Sequence, residues 1–199
     1  MDTVAELFAR RATPGQLLAD EAERLGSACH DLAVRFHRGG KLIVFGNGGA
    51  ATDADHVAVE FVHPVIVGKR ALPAISLTND AATVTGIARR DGFSEVFAHQ
   101  IASLADPDDI AIGLSTDGRC ASVLRGLEVA KERGLLTIAL AGGDGGAMAG
   151  SSVADHVIVA RSEDQRIVKE VHVTAYHILW ELVHVFLEQP GVLGPEVVR

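Results

Sequence analysis

Apolar residues in this chain form five short runs, and amphipathic stretches separate most of them. A run that is apolar at nearly every position is typical of a strand covered on both faces. Alternation of such strands with helices predicts parallel pairing and right-handed crossovers. The fold class is therefore α/β, a three-layer, doubly wound domain with a five-stranded parallel sheet. The predicted strands are 41–45, 74–77, 109–114, 135–141 and 156–160, and the predicted helices between them include 81–89, 94–104 and 119–133.

A helical segment precedes the first predicted strand. The pattern predicts a short helix over 2–11, and Thr13-Pro14 has the form of an N-cap followed by a proline in the first turn of a longer helix. We expect this added N-terminal segment to pack on the flank of the domain or against another subunit. The predicted organisation is an N-terminal helical segment for oligomer packing over 1–40, the α/β domain over 41–190 and a tail over 191–199.

The last predicted helix, over 165–188, carries apolar residues on nearly every side. A helix that is hydrophobic all round is buried. Because it lies at the end of a chain of this size, we interpret it as part of a subunit interface and expect a homo-oligomer.

Composition narrows the functional classes. Nearly half of the 199 residues are apolar, and the formal net charge of −8 argues against a broad nucleic-acid or anionic-membrane surface. Cys29 and Cys120 are far apart and form no CxxC motif, which indicates a reducing compartment. Acidic residues near the N-terminus and the absence of long apolar runs match neither a signal peptide nor a membrane span. We expect a cytoplasmic domain with no nucleic-acid or membrane partner.

Glycine- and hydroxyl-rich segments follow the predicted strands. Ligands of open parallel sheets bind outside the carboxyl ends of the strands. After the first strand, Asn47, Gly48 and Gly49 form a turn that lets a ligand approach the amides of the following helix. Three further segments, 76–80, 113–118 and 141–146, would lie at the same edge of the sheet.

The segment Ser115-Thr116-Asp117-Gly118 combines hydroxyls and amides between a strand and a helix. This arrangement suits a phosphate or another anion, although an ordinary N-cap would have the same sequence. Asp117 would repel a phosphate unless its carboxylate points away or meets a cation.

Ionisable residues on two helices are candidates for chemistry. His56 and Glu60 are four residues apart, so they can share a metal ion or act as acid and base, although a surface ion pair or a core histidine has the same spacing. The last predicted helix adds Glu170, His172 and His177, and a buried helix rarely carries so many ionisable groups without partners.

Together, these segments resemble the phosphoheptose (sedoheptulose 7-phosphate) isomerases, a branch of the sugar isomerase (SIS) domain superfamily. GNGGAATDADHVAVEF is similar to that family's GNGGS-x-x-D-A-x-H-x-x-x-E, and GLSTDGRCASVLRGL to its G-x-STSGNS-x-x-V segment. AGGDGGAMA, LTNDAATVTGIARRDGF and RIVKEVHVTAYHILWELVH are similar to three further family segments in the same order. The likeness covers nearly the whole chain.

The resemblance implies a homotetramer with sites at subunit interfaces and an aldose–ketose isomerisation through an enediol. Glu60 matches the family's base and His177 its acid. In the members that hold zinc, His56, Glu60 and His177 match metal ligands, so zinc is the cofactor that the resemblance implies.

The resemblance also implies where a sugar phosphate would bind. The phosphate would lie on Ser115, Thr116 and the amides around Gly118, with Asn47 and the Gly48-Gly49 turn near the sugar. Asp117 and Cys120 occupy the positions of two serines of the family's phosphate loop, so they are also candidate substrate-binding residues.

Departures from the family pattern leave three hypotheses open. Ala50 stands where the family has a serine, and Lys169 stands where it has the glutamine of the metal set. A protonated ammonium cannot ligate a metal ion. The leading hypothesis is an isomerase of sedoheptulose 7-phosphate or a similar sugar phosphate. The alternatives are a non-catalytic SIS protein that senses a sugar phosphate or binds a protein partner, and an isomerase of another substrate such as an octulose phosphate.

Overall fold

The computed structural model describes residues 3–193 as one α/β domain around a parallel sheet. All neighbouring strands pair in parallel, in the order β2-β1-β3-β4-β5. The strands are β1 Leu42–Gly46, β2 Ala74–Ser76, β3 Ile110–Ser115, β4 Leu136–Gly142 and β5 His156–Ala160. Strands β1, β3 and β4 are buried at every residue, as the continuous apolar runs predict. The predicted five-stranded, doubly wound fold is confirmed.

Helices cover both faces of the sheet. The helices are α1 Val4–Ala19, α2 Ala22–His37, α3 Gly49–Val62, α4 Ala81–Asp91, α5 Ala98–Leu104, α6 Ala121–Glu132, α7 Gly146–Gly150 and α8 Gln165–Leu187. One hydrophobic core joins α1, α2, α3 and α8 to one face, and a second joins α4, α5, α6 and α7 to the other. No helix of the described residues is long and apolar enough to span a membrane.

The N-terminal segment is helical, but its predicted division at Pro14 is wrong. Helix α1 runs continuously through Pro14 and ends at Ala19, and α2 begins at Ala22. Helix α1 begins at Val4 because Thr3 and Glu6 form a reciprocal capping box, with the Thr3 amide donating to the Glu6 carboxylate over 2.6 Å. Proline costs one helical hydrogen bond, and here its ring is buried in exchange.

Helix α2 packs on the flank of the domain, one of the two placements that the sequence allowed. Its residues Ala28, Cys29, Leu32 and Ala33 are completely inaccessible to solvent, and the helix packs extensively against α8. This helix therefore belongs to the core of the single chain.

Within the single chain, the last helix is buried on one side only, and the predicted subunit interface that would cover the other side stays a prediction. Helix α8 buries its Val168, Ala175 and Leu179 side, but an exposed strip runs along Glu170, Thr174, His177 and Glu181. Of the predicted tail, Leu193 is buried and residues 194–199 lie outside the described part of the chain.

Candidate active site

The order of the strands places a ligand site between β1 and β3. The chain moves outward to β2 on one side of this pair and to β4 on the other, so the loops after β1 and β3 diverge around a crevice. Gly46 at the end of β1 lies in register with Leu114 of β3. Crevices of this kind are the usual ligand sites of doubly wound sheets.

Asn47 bridges this crevice from the β1 side. Its side-chain amide donates to the Ser122 hydroxyl over 2.7 Å and to the Cys120 sulfur over 3.1 Å. The two loops enclose a cavity of about 230 Å³. The predicted residues Asn47, Ser115, Thr116, Asp117 and Cys120 all line it, together with Ala50, Leu114 and Arg119.

Glycines shape the two loops. Gly48 precedes α3 with a φ of 58°, and Gly49 is the first residue of that helix. Gly118 has a φ of 67°, and a Cβ atom there would lie 2.0 Å from the carbonyl oxygen of Gly145. Only glycine fits this close approach between the β3–α6 loop and the loop before α7.

Hydrogen bonds hold the β3–α6 loop to itself. The buried Ser115 hydroxyl donates to Asp117 Oδ1 over 3.0 Å and accepts from the Gly118 amide over 3.1 Å. The Arg119 amide donates to the same Asp117 oxygen over 2.9 Å. The Asp117 carboxylate therefore points into its own loop. The sequence predicts that it points away from a bound phosphate or meets a cation, and here it instead accepts from groups that a phosphate would use.

A second group of predicted residues meets between α3 and α8. His56 and Glu60 from α3 and His177 from α8 each present a ligand atom, and these atoms all lie within 4.8 Å of one another. His56 Nε2 is 3.2 Å from Glu60 Oε1, and the rings of His56 and His177 meet edge to face at 5.3 Å. Glu60 is largely covered, with 13% of its side chain exposed, whereas His177 is exposed. This acid–base cluster can hold a metal ion or exchange protons with a substrate.

Two aromatic residues that the sequence reasoning missed support this cluster. The Tyr176 hydroxyl lies 2.8 Å from His56 Nδ1, and the Trp180 indole donates to the backbone carbonyl of Glu60 over 2.9 Å. Burial raises the pKa of Tyr176, so the hydroxyl keeps its proton and can donate it to Nδ1. The proton of a neutral imidazole then sits on Nε2 and points at Glu60. Neither contact has a sequence signal, because each joins residues 120 positions apart.

Comparisons with known proteins agree with this architecture. A family model for the SIS domain matches residues 9–142. The phosphoheptose isomerase of Solidesulfovibrio magneticus is 38% identical over 193 residues, which are 96% of this chain and 92% of that relative. This chain belongs to the phosphoheptose isomerase family of SIS domain proteins.

Solved structures of phosphoheptose isomerases have the same fold. The structure from Neisseria gonorrhoeae is 29% identical, with a TM-score of 0.82, and the match covers 90% of this chain and 96% of that one. The structure from Francisella tularensis is 28% identical, with a TM-score of 0.85, and the match covers 92% and 96% of the two chains.

Lys169, which replaces the glutamine of the family's metal set, does not join the cluster of its own chain. Its ammonium donates to Asp53 Oδ1 over 2.5 Å, to Thr52 Oγ1 over 2.9 Å and to the Gly49 carbonyl over 3.1 Å. His177 follows eight residues later on the same helix, about 12 Å along its axis. Lys169 therefore ties α8 to the first turn of α3.

The remaining acidic and histidine candidates lie outside the cluster. Glu170 forms an ion pair with Arg11 of α1 over 2.7 Å. His172 is 1% exposed, and burial lowers its pKa, so its ring stays neutral in the core. Asp53 lies three residues before His56 on α3, but its carboxylate is bound to Lys169.

Proposed function

We propose that this chain is an aldose–ketose isomerase that acts on sedoheptulose 7-phosphate through an enediol intermediate. The observation that carries the proposal is the meeting of Glu60 and His177, which come from two different helices, in a member of the phosphoheptose isomerase family. A carboxylate and an imidazole side by side are the two groups that this isomerisation needs.

In the proposed mechanism, Glu60 and His177 move two protons. Glu60 removes a proton from C1 of the ketose while His177 protonates the C2 carbonyl oxygen, which gives the enediol. Glu60 then returns its proton to C2, and the C1 hydroxyl gives its proton back to His177 as the aldehyde forms. His56 holds the Glu60 carboxylate through its Nε2, and Tyr176 holds His56.

The rest of the substrate would lie in the crevice between β1 and β3. We place the sugar hydroxyls near Asn47 and the Gly48-Gly49 turn, and the phosphate near Ser115, Thr116 and Gly118. Support comes from the cavity that these loops enclose and from the amides at the start of α3.

Zinc would be held by His56, Glu60 and His177. Two imidazoles and one carboxylate are a donor set that zinc accepts while one coordination position stays open. All three donors can approach a common point, and the ammonium of Lys169 is engaged elsewhere, which supports the fit. His56 would bind through Nε2 with its proton moved to Nδ1, where it can be donated to the Tyr176 hydroxyl. When bound, the ion would polarise the oxygens of the substrate as a Lewis acid.

We also propose that the chain forms a homo-oligomer, a tetramer by its family, in the cytoplasm. Exposed apolar residues close to the cluster support burial by another copy: Val59 and Val62 of α3 are 52% and 48% exposed. His177 is also exposed in the single chain, so a neighbouring copy could close the site around it. Both cysteines are free thiols, which supports a reducing compartment.

The Glu60→Gln variant tests the proposed function. The native chain should convert sedoheptulose 7-phosphate to the aldose, with or without added zinc, and should incorporate solvent deuterium at C2 of the product. Glu60→Gln should lose this exchange by a factor of about 10²–10⁴ while substrate binding stays within a few-fold, because the amide cannot accept the proton. Unchanged exchange in the variant would refute the role of Glu60.

A non-catalytic sugar-phosphate sensor is the second candidate, and the internally bonded β3–α6 loop favours it. An isomerase must hold the phosphate so that the sugar stays over Glu60 and His177, whereas a sensor needs only to bind it. The Ser115 hydroxyl already donates to Asp117, so it is less available for that positioning. Melting that is shifted upward by sedoheptulose 7-phosphate, without any aldose product from the native chain, would support the sensor and exclude the isomerase.

A further inference from the structure

The β3–α6 loop carries an anion of its own. Asp117 Oδ1 accepts from the Ser115 hydroxyl and from the Arg119 amide, and the Gly118 amide donates to Ser115. A serine hydroxyl has a single proton, so Ser115 cannot donate to Asp117 and to a ligand at the same time. The carboxylate thus uses donors that a phosphate in this loop would need.

We propose that Asp117 determines the charge specificity of this loop, lowering its affinity for a dianionic phosphate relative to a ligand whose end is uncharged. The inference rests on the proposed function in one respect, because it assigns the loop to the end of the sugar that carries the phosphate. A hydroxyl at that end would instead find an acceptor in Asp117 Oδ2, which takes no part in the Ser115 and Arg119 bonds.

The surrounding charges compensate for Asp117 only in part. A second cavity of about 240 Å³ shares Thr116, Asp117 and Arg119 with the first. Among the described residues, the charged ones that line the two cavities are the acids Asp117, Asp144 and Glu163 and the base Arg119. The Arg119 guanidinium donates to Asp144 over 2.9 Å and to the backbone carbonyl of Asp117 over 3.1 Å. It also attracts the carboxylates of Asp117 and Glu163, so one cation is shared among three acids.

An entering phosphate therefore meets one of two costs in this loop. It must displace the Asp117 carboxylate from the Ser115 hydroxyl and the Arg119 amide, or else lie against it. Like charges in contact strongly disfavour binding. A ligand end without charge has neither cost.

Calorimetry on the Asp117→Asn variant tests this inference. The measurement uses a Glu60→Gln background, in which binding is read without turnover, and the two probes are sedoheptulose 7-phosphate and sedoheptulose. Asparagine keeps an acceptor oxygen and the size of the side chain but removes the charge. We expect the phosphorylated sugar to bind at least about tenfold more tightly and sedoheptulose to change by less than about threefold. Unchanged or weaker binding of the phosphorylated sugar would overturn the inference.

Two further variants test whether the effect comes from Asp117 itself. Glu163→Gln removes the same charge from the adjoining cavity, where it has no contact with Ser115, and should alter the binding of the phosphorylated sugar by less than about twofold. An equal gain in Glu163→Gln and Asp117→Asn would overturn the role of Asp117, because the effect would then come from the general potential. Asp117→Ser supplies a hydroxyl acceptor for the Arg119 amide and should reproduce the gain of Asp117→Asn if that variant folds poorly.

The outcome is independent of the isomerase assignment. If the native chain makes no aldose but Asp117→Asn still tightens binding of the phosphorylated sugar, the inference holds and the proposed function fails. If the native chain makes aldose and Asp117→Asn leaves binding unchanged, the proposed function holds and the inference fails.

Discussion

The acid–base cluster between α3 and α8 and the loop between β3 and α6 differ in how their polar groups are used. In the cluster, His56, Glu60 and His177 turn toward one another and are held from behind by Tyr176 and Trp180. In the loop, the polar groups satisfy one another through a carboxylate that the family pattern does not have. The comparison teaches that chemistry and substrate choice can change separately, because each depends on a different pair of elements.

Removing the His177 imidazole from the cluster should have the largest effect. His177→Asn should lower kcat for sedoheptulose 7-phosphate by a factor of about 10²–10⁴ and leave KM within a few-fold, because the acid acts mainly in the transition state. Steady-state kinetics measure both constants. The matched control is His99→Asn, since His99 is an exposed histidine on α5 that lies outside the cluster. A loss of less than about threefold in His177→Asn would mean that the cluster does not perform the chemistry.

Removing the ion pair that joins α3 to α8 should have an intermediate effect, which is measured on the free energy of unfolding. Lys169→Met leaves the Asp53 carboxylate, 6% exposed, without its cation at the junction of α3 and α8. We expect a loss of about 1–3 kcal/mol in the free energy of unfolding, less than for a fully buried pair because 43% of the Lys169 side chain is exposed. Urea denaturation provides the measurement.

The control for this variant is Lys69→Met, which breaks an ion pair with Glu188. The Glu188 side chain is 60% exposed. Such surface pairs contribute about 0–1 kcal/mol, so this variant should be nearly as stable as the native chain. Equal stability of the two variants would show that the contact between Lys169 and Asp53 does not fasten α3 to α8.

The smallest expected effect is on the rate at which a thiol reagent modifies Cys120 in the loop. Cys120 is half-buried in the loop cavity, whereas Cys29 is inaccessible and burial raises its pKa to about 12. At pH 8 the Cys29 thiol stays protonated, so iodoacetamide should modify only Cys120 in the folded protein. Mass spectrometry measures the modification.

The same labelling compares the two regions directly. Sedoheptulose 7-phosphate should slow modification of Cys120 by a few-fold, and more strongly in Asp117→Asn than in the native chain. Equal labelling with and without the sugar in both proteins would place the ligand away from this loop.

The hydrophobic pattern predicted the sheet well because buried parallel strands need continuous apolar runs. Each predicted strand differs from the observed one by no more than one residue at either end, and β5 matches at both ends. The prediction failed at Pro14, where tertiary burial of the ring outweighs the local preference against proline inside a helix.

The residue types of the site, and the grouping of its loops, also follow from the sequence. Helical spacing placed His56 and Glu60 on one face, and the parallel sheet placed the loops after β1 and β3 at one edge. The resemblance to known isomerases then singled out His177 as their partner. The first two inferences need only the periods of helices and strands, whereas the choice of His177 also needs the family pattern.

Only the tertiary structure decided where the side chains of Tyr176, Lys169 and Asp117 point. Tyr176 reaches His56 because α3 and α8 pack side by side, and Lys169 turns to Asp53 for the same reason. Asp117 turns into its own loop, where a hydroxyl and an amide offer better partners than water. Sequence fixes which groups a chain has and their local periodicity. For Tyr176 and Lys169, the choice among competing partners depends on distances between helices that are far apart in the chain. For Asp117, it depends on the conformation of the loop between β3 and α6. Both exist only once the chain has folded.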